Sequence, residues 1–177
     1  MKIKFSKENC LPFILTAVII AADQIVKAFI VKNWPREGSF IKDLFDNELV
    51  MFYHVRNKAI AFSLGQNLPE NLRPVLFIVL PVLVLGFLLW YYFSSSDFNT
   101  LQRFAVAGII GGGIGNIIDR IFRPDGVVDY VSIKFFGIFG MERWPTFNIA
   151  DASVVICCII LFISIIFSPK EKGADGE

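Results

Sequence analysis

The sequence predicts an all-α membrane protein with four transmembrane helices and a small extramembrane β-containing segment between the first helix and the second. Three observations predict it. Of 177 residues, 55% are hydrophobic and only 19% are charged, whereas soluble domains carry about 25% charged residues. Mean hydropathy is +0.60. The apolar residues are gathered into four runs, each near the roughly 20 residues that a helix needs to cross a hydrocarbon core about 30 Å thick.

The first run, Leu11 to Val31, follows Lys2, Lys4 and Lys7 as a signal peptide would. It is long, however, and no small-residue cleavage site follows, so it reads as a retained anchor. In the connection 32–71, the stretch Glu48 to Val55 is rich in β-branched and aromatic residues, which predicts a short strand. The second run, Leu72 to Phe93, carries Pro81, a kink that membrane helices accommodate. A short polar connection, Ser94 to Arg103, leads to the third run, Phe104 to Phe122. Its Gly108, Gly111, Gly112, Gly113 and Gly115 include pairs four residues apart that let helices approach closely. No Gly-Lys-Ser/Thr ending follows them, which argues against a phosphate loop. After the connection 123–147 comes the fourth run, Asn148 to Phe167, and a solvated tail from Lys170. Four spans put both termini on one face and the segments 32–71 and 123–147 on the other. The lysines flanking the first and fourth runs favour cytoplasmic termini. The whole of 1–177 reads as a single membrane-embedded domain.

Several function classes drop out. A net charge of +1 with scattered charges offers no footprint for nucleic acid. Cys10 stands alone while Cys157 and Cys158 are adjacent in an apolar run, which is no disulfide framework. The single His54 has no cysteine or second histidine nearby to complete a zinc site, so it reads as a packed or surface residue, and no metal or cofactor is expected.

Ionisable side chains inside apolar spans are costly and ask for a partner or a purpose. Asp23 and Lys27 stand four apart on one helical face, where an ion pair near the membrane surface is the plain reading. Asn116, Asp119 and Arg120 gather an amide, a carboxylate and a guanidinium at the end of the third run, with Arg120 neutralising Asp119 as the structural reading. Asp129 closes Gly126-Val127-Val128-Asp129, and Asp151 stands three residues after Asn148 at the start of the fourth run. If the third and fourth spans are neighbours, these two acids lie at similar depth. Two carboxylates that close share a proton. One takes a proton from water as general base, and the other, kept protonated, donates to the carbonyl or the leaving amine, as an aspartyl peptidase requires. The alternative is that Asp151 caps a helix and Asp129 sits in a hydrated loop, and spacing alone weighs the two evenly.

Four blocks in this order resemble the lipoprotein signal peptidase (signal peptidase II) family over nearly the whole chain. They are Asp23-Gln24-Ile25-Val26-Lys27; Asn57-Lys58-Ala59-Ile60-Ala61-Phe62-Ser63; Gly112-Gly113-Ile114-Gly115-Asn116-Ile117-Ile118-Asp119-Arg120 with Val127-Val128-Asp129; and Phe147-Asn148-Ile149-Ala150-Asp151. The resemblance implies a bacterial inner-membrane aspartyl endopeptidase, independent of metals. It implies diacylglyceryl-modified prolipoproteins as substrates, cut just before the lipidated cysteine, in contact with membrane lipids. It also implies Asp129 and Asp151 as the catalytic dyad, with Asn57, Asn116, Arg120 and Asn148 lining or supporting the site and Asp23 and Asp119 as further polar positions. Ala59 and Asp125 depart from the family pattern, each standing where a glycine is usual. The competing reading, a small ion or proton transporter using the same acids, lacks the repeated halves that transporters often show.

Overall fold

The computed structural model describes residues 6–58, 69, 71–95 and 97–167. The chain enters through a short helix α1 (Lys7–Cys10) that continues into α2 (Phe13–Asn33). Strands β1 (Phe40–Asp43) and β2 (Val50–Asn57) follow. A π-helical turn, Val75–Val79, leads into α3 (Leu80–Ser94), directly ahead of Pro81, whose missing N–H makes a regular ladder impossible there. Helix α4 (Thr100–Phe122), strand β3 (Val127–Ile133) and helix α5 (Ile149–Ile166) complete the order. Four helical stretches, Lys7–Asn33, Val75–Ser94, Thr100–Phe122 and Ile149–Ile166, are long and apolar enough to span a membrane.

Helix α4 is the centre of the bundle, packed against both α2 and α5. Its glycines make this possible. A Cβ on Gly112 would overlap the Ala150 carbonyl oxygen of α5, and one on Gly111 would stand 3.1 Å from Thr16 Cα of α2. At the end of the bundle where α1 begins and α5 ends, Tyr92, Val106 and Ile110 form a buried cluster against Phe13 and Leu161. At the other end Ile30, Val128 and Tyr130 join the sheet to the helices. The outer faces of α2, α3 and α5 stay apolar and exposed, as at Ile14, Leu83, Phe87 and Phe162, which suits contact with lipid.

The sheet is antiparallel in the order β1-β2-β3. Val55 faces Asp129 and Asn57 faces Val127 near the bundle, while Val50 faces Ile133 at the far end. The strand expected over Glu48 to Val55 is thus found two residues later, because pairing with β3 carries it on to Asn57. Helix α4 starts at Thr100, four residues ahead of the third apolar run, because Asn99 and Gln102 form a reciprocal cap that turns part of the polar connection into helix. Of the block beginning at Asn57, only Asn57 and Lys58 are among the described residues. Ala59, Lys2, Lys4 and the tail from Lys170 lie outside them. Asp125 is exposed in the turn before β3.

Candidate active site

The site is built where β3 crosses the end of the bundle. Asp129 is nearly inaccessible on β3. Its Oδ2 accepts from the Asn57 side-chain amide of the paired strand at 2.9 Å. Its Oδ1 accepts from Asn148 Nδ2 at 2.7 Å. Asp151 occupies the first turn of α5, where Asn148 and Asp151 cap each other: Asp151 N donates to Asn148 Oδ1 at 2.9 Å and Asn148 N donates to Asp151 Oδ2 at 3.2 Å. Asp151 Oδ1 accepts a second bond, from Asn116 Nδ2 of α4, at 2.7 Å. Asn148 Nδ2 also lies 3.1 Å from Asn116 Oδ1. Two asparagine amides therefore bridge the two acids. Asp151 is both a helix cap and Asp129's neighbour, so the two sequence readings of this residue are not exclusive.

Behind the acids lies a buried network of charge. Lys27 has no exposed surface and its Nζ lies 2.8 Å from Asp23 Oδ2, 3.1 Å from Asp119 Oδ2 and 3.0 Å from Asn116 Oδ1. Lys27 carries no acceptor, so its bond to the Asn116 oxygen turns the Asn116 amide nitrogen toward Asp151. Asp23 Oδ1 accepts from Ala150 N at 3.1 Å, tying the first span to the last. Asp119 Oδ2 accepts from Val128 N at 3.1 Å and its Oδ1 lies 2.6 Å from Arg123 Nη1. Gln24 Nε2 bridges Asp23 Oδ2 and Asp119 Oδ1. Asp23 and Asp119 are matched in charge by Lys27 and Arg123, which leaves the Asp129 and Asp151 pair as the further acids of the site.

Asp23 and Lys27 do pair, as their spacing predicts, with both side chains buried inside the protein. One expectation is corrected. Asp119 takes Lys27 and Arg123 as its ion-pair partners in place of Arg120, because on a helix the i+4 side chain shares its face and the i+1 side chain does not. The Arg120 guanidinium instead stands 5.0 Å over the Phe77 ring. It lines a cavity of about 280 Å³ together with Lys58, Arg73, Phe77 and Arg123. His54 is packed, with Nδ1 2.6 Å from the Trp34 carbonyl oxygen. Gln24, Lys27 and Arg123 were missed as site residues. The i, i+4 spacing of Asp119 and Arg123 was available in the sequence, whereas the depth of Lys27 was not.

Burial, and after it the neighbouring Asp151 charge, pushes the Asp129 carboxyl up from 3.8 to about 7, against the opposing effect of the Asn57 and Asn148 amides. Among the described residues, no three histidine, cysteine, aspartate or glutamate side chains converge as metal ligands do.

Four spanning helices with an acid pair and a compensated ion network at one end define a multi-pass membrane protein organised around a polar site. The fold is shared with a bacterial membrane enzyme solved by the in meso method at 2.3 Å resolution, at a TM-score of 0.76 and 21% identity, covering 100% of this chain and 99% of that one. A second such structure, at 1.9 Å resolution, gives a TM-score of 0.75 with 96% of this chain covered and 99% of that one. The chain belongs to the signal peptidase II family, whose model matches residues 15–167, and it is an aspartic peptidase of that family. It is 42% identical over 172 residues to the lipoprotein signal peptidase of Treponema pallidum (strain Nichols), covering 97% of this chain and 91% of that one. It is 45% identical over 160 residues to that of Treponema denticola, with coverages of 90% and 91%. The Borrelia duttonii protein of the same name is 42% identical over 162 residues, with 92% of each chain covered.

Proposed function

We propose that this chain removes signal peptides from prolipoproteins, cutting just before a diacylglyceryl-modified cysteine, with Asp129 and Asp151 as its catalytic dyad. The observation that carries this reading is the pair of asparagine amides joining the two acids, because it holds both carboxyl groups on one small site at the end of the bundle. Asp129, with its carboxyl raised to about 7, keeps a large protonated fraction at neutral pH, and in that form it donates the proton toward the scissile carbonyl oxygen. Asp151 takes a proton from the attacking water, whose oxygen bonds to the carbonyl carbon. Collapse of the tetrahedral intermediate breaks the C–N bond, and a proton passes from the dyad to the leaving amine of the cysteine. Asn57, Asn116 and Asn148 hold the carboxyl groups. Arg120 lines the adjoining cavity, and Asp23 and Asp119 support the site through Lys27, Ala150 and Val128.

The lipid on the substrate has a physical use. Acyl chains held in the bilayer confine the peptide to two dimensions and set the depth of its scissile bond. We place both termini in the cytoplasm and the dyad near the outer surface, with residues 1–177 acting as one peptidase unit.

Two comparisons on purified enzyme test the proposal. A peptide with a diacylglyceryl cysteine should be cut and its unlipidated twin left intact; equal cleavage of both removes lipoprotein processing as the function. Asp129→Asn and Asp151→Asn should each abolish turnover by at least about 1,000-fold while the protein still inserts and folds. The double variant should be no worse than either single one, since residues acting as a unit are not additive. Normal cleavage by either variant overturns the dyad.

A further inference from the structure

The end of the sheet far from Asp129 carries apolar side chains that the bundle does not use. Between β3 and α5 the segment Phe135-Phe136-Gly137-Ile138-Phe139-Gly140-Met141 has no charge, and it is bounded by Lys134 on one side and Glu142-Arg143 on the other. Phe139 is 86% exposed, Phe136 67% and Ile138 50%. The backbone that presents them is closed on itself: Phe135 N donates to Glu142 O at 2.8 Å and Gly137 N to Met141 O at 3.0 Å, and Trp144 N returns to Ile133 O at 2.9 Å. Phe136 and Phe139 both hold left-handed backbone, at φ 55° and 54°, which a phenylalanine rarely adopts. The fold keeps two bulky residues in costly conformations while leaving both largely exposed, the Phe139 ring meeting only that of Phe135 of the same loop, with centroids 6.4 Å apart.

The loop is rigidly joined to its neighbour. Arg143 donates to Ser132 O, Ser132 Oγ and the Glu48 carbonyl, and Lys134 reaches the Glu48 carboxylate at 3.5 Å. The adjoining β1–β2 turn adds the exposed Leu44 and Phe45 beside the loop. Asp46 and Glu48 of that turn and Glu142 on the return limb are exposed as well.

From this we infer that the loop 135–141 is a second membrane contact, which dips Phe136, Ile138 and Phe139 into the leaflet at the dyad end of the bundle and lays the sheet along the membrane surface. Continuity with the lipid-facing helices favours lipid over any other occupant. Arg143 stands only six residues before Ile149, the first residue of α5. Even fully extended, that stretch spans no more than roughly 22 Å, so the base of the loop is tethered within that reach of a membrane-spanning helix. An uncharged aromatic tip with Lys and Arg at its base is the composition of a segment at the headgroup boundary. Through β3, this contact sets the depth of Asp129 relative to a bilayer-held substrate.

The test places a tryptophan at the tip. Phe139→Trp in vesicles of phosphatidylcholine brominated on its acyl chains should lose more emission than the wild-type protein, which supplies the background of Trp34, Trp90 and Trp144. No excess quenching, with the new indole open to an aqueous quencher instead, overturns the inference. Shielding that appears in nanodiscs holding two copies but not one assigns the patch to a second copy and also overturns it. Phe136→Gly/Phe139→Gly removes both rings and relaxes both left-handed positions. This variant should raise KM for a bilayer-embedded lipopeptide several-fold and leave cleavage in detergent micelles unchanged. Equal kinetics in the bilayer would sink the idea.

Discussion

Lys27 shows how far a single side chain can be misjudged from sequence. Its spacing from Asp23 announced an ion pair, which the structure contains, but nothing in the local sequence told depth, because depth is set by Asp119 and Asn116 on a helix some 90 positions away. Removing one member of a buried charged group leaves the others uncompensated, at a cost of about 3–5 kcal/mol. Lys27→Met should therefore lower thermal stability in detergent sharply. Lys27→Met combined with Asp23→Asn keeps charge balance and should recover much of the loss; no recovery would mean that packing, not charge, is what Lys27 supplies. Asp129 makes a second prediction with a definite sign. Its carboxyl keeps a proton up to about 7 in the folded protein, while in the unfolded chain it releases it near 3.8. The native state then binds more protons across that window, so stability is highest below it and falls as pH rises through about 7. Melting temperature should fall along this interval in the wild type and fall less in Asp129→Asn. Cleavage should decline on an alkaline limb near 7 as that proton is lost.

At the scale of elements, the four spans were legible because length and hydropathy alone decide whether a helix crosses a bilayer. Their ends were less so. Thr100 to Arg103 is polar yet helical, since the Asn99 cap offsets the loss of apolar character. Strands β1 and β3 went unread as strands. Val127 to Ile133 is nearly continuous in buried positions, burying even Asp129, so it lacks the alternation by which a half-buried strand is recognised. The glycines of α4 were read correctly as points of close approach, and they separate into kinds. Gly112→Ala would drive a methyl into the Ala150 carbonyl, which is backbone of the helix carrying Asp151. Such overpacking costs about 1–3 kcal/mol, and it should displace Asp151 and reduce turnover. At Gly113 the nearest atom is Leu85 Cδ1 at 2.8 Å, the end of a flexible side chain, so Gly113→Ala should be tolerated. Melting temperatures and turnover of the two alanine variants, measured side by side, check this ordering.

For the molecule as a whole, the even number of spans fixes that both ends of the bundle chain lie on one side, opposite the sheet. Reporter domains fused within Arg36 to Asp46 should be translocated, and one fused after Phe167 should stay in the cytoplasm; the reverse placement would invert the proposed orientation. The family blocks were readable because they are short and local, whereas the convergence of α2, α4, β2, β3 and α5 on one site is a property of tertiary packing that no window of sequence displays. That convergence has a consequence for biogenesis. Asn148, Ala150 and Asp151 are the last parts of the site to leave the ribosome, and Ala150 closes onto Asp23, among the first. Until the final span is inserted, Asp129 lacks both its amide donor from Asn148 and its partner acid. With the proposed dyad, a nascent chain is therefore inert by construction, and proteolytic competence switches on only when synthesis is complete enough for the last helix to lock against the first.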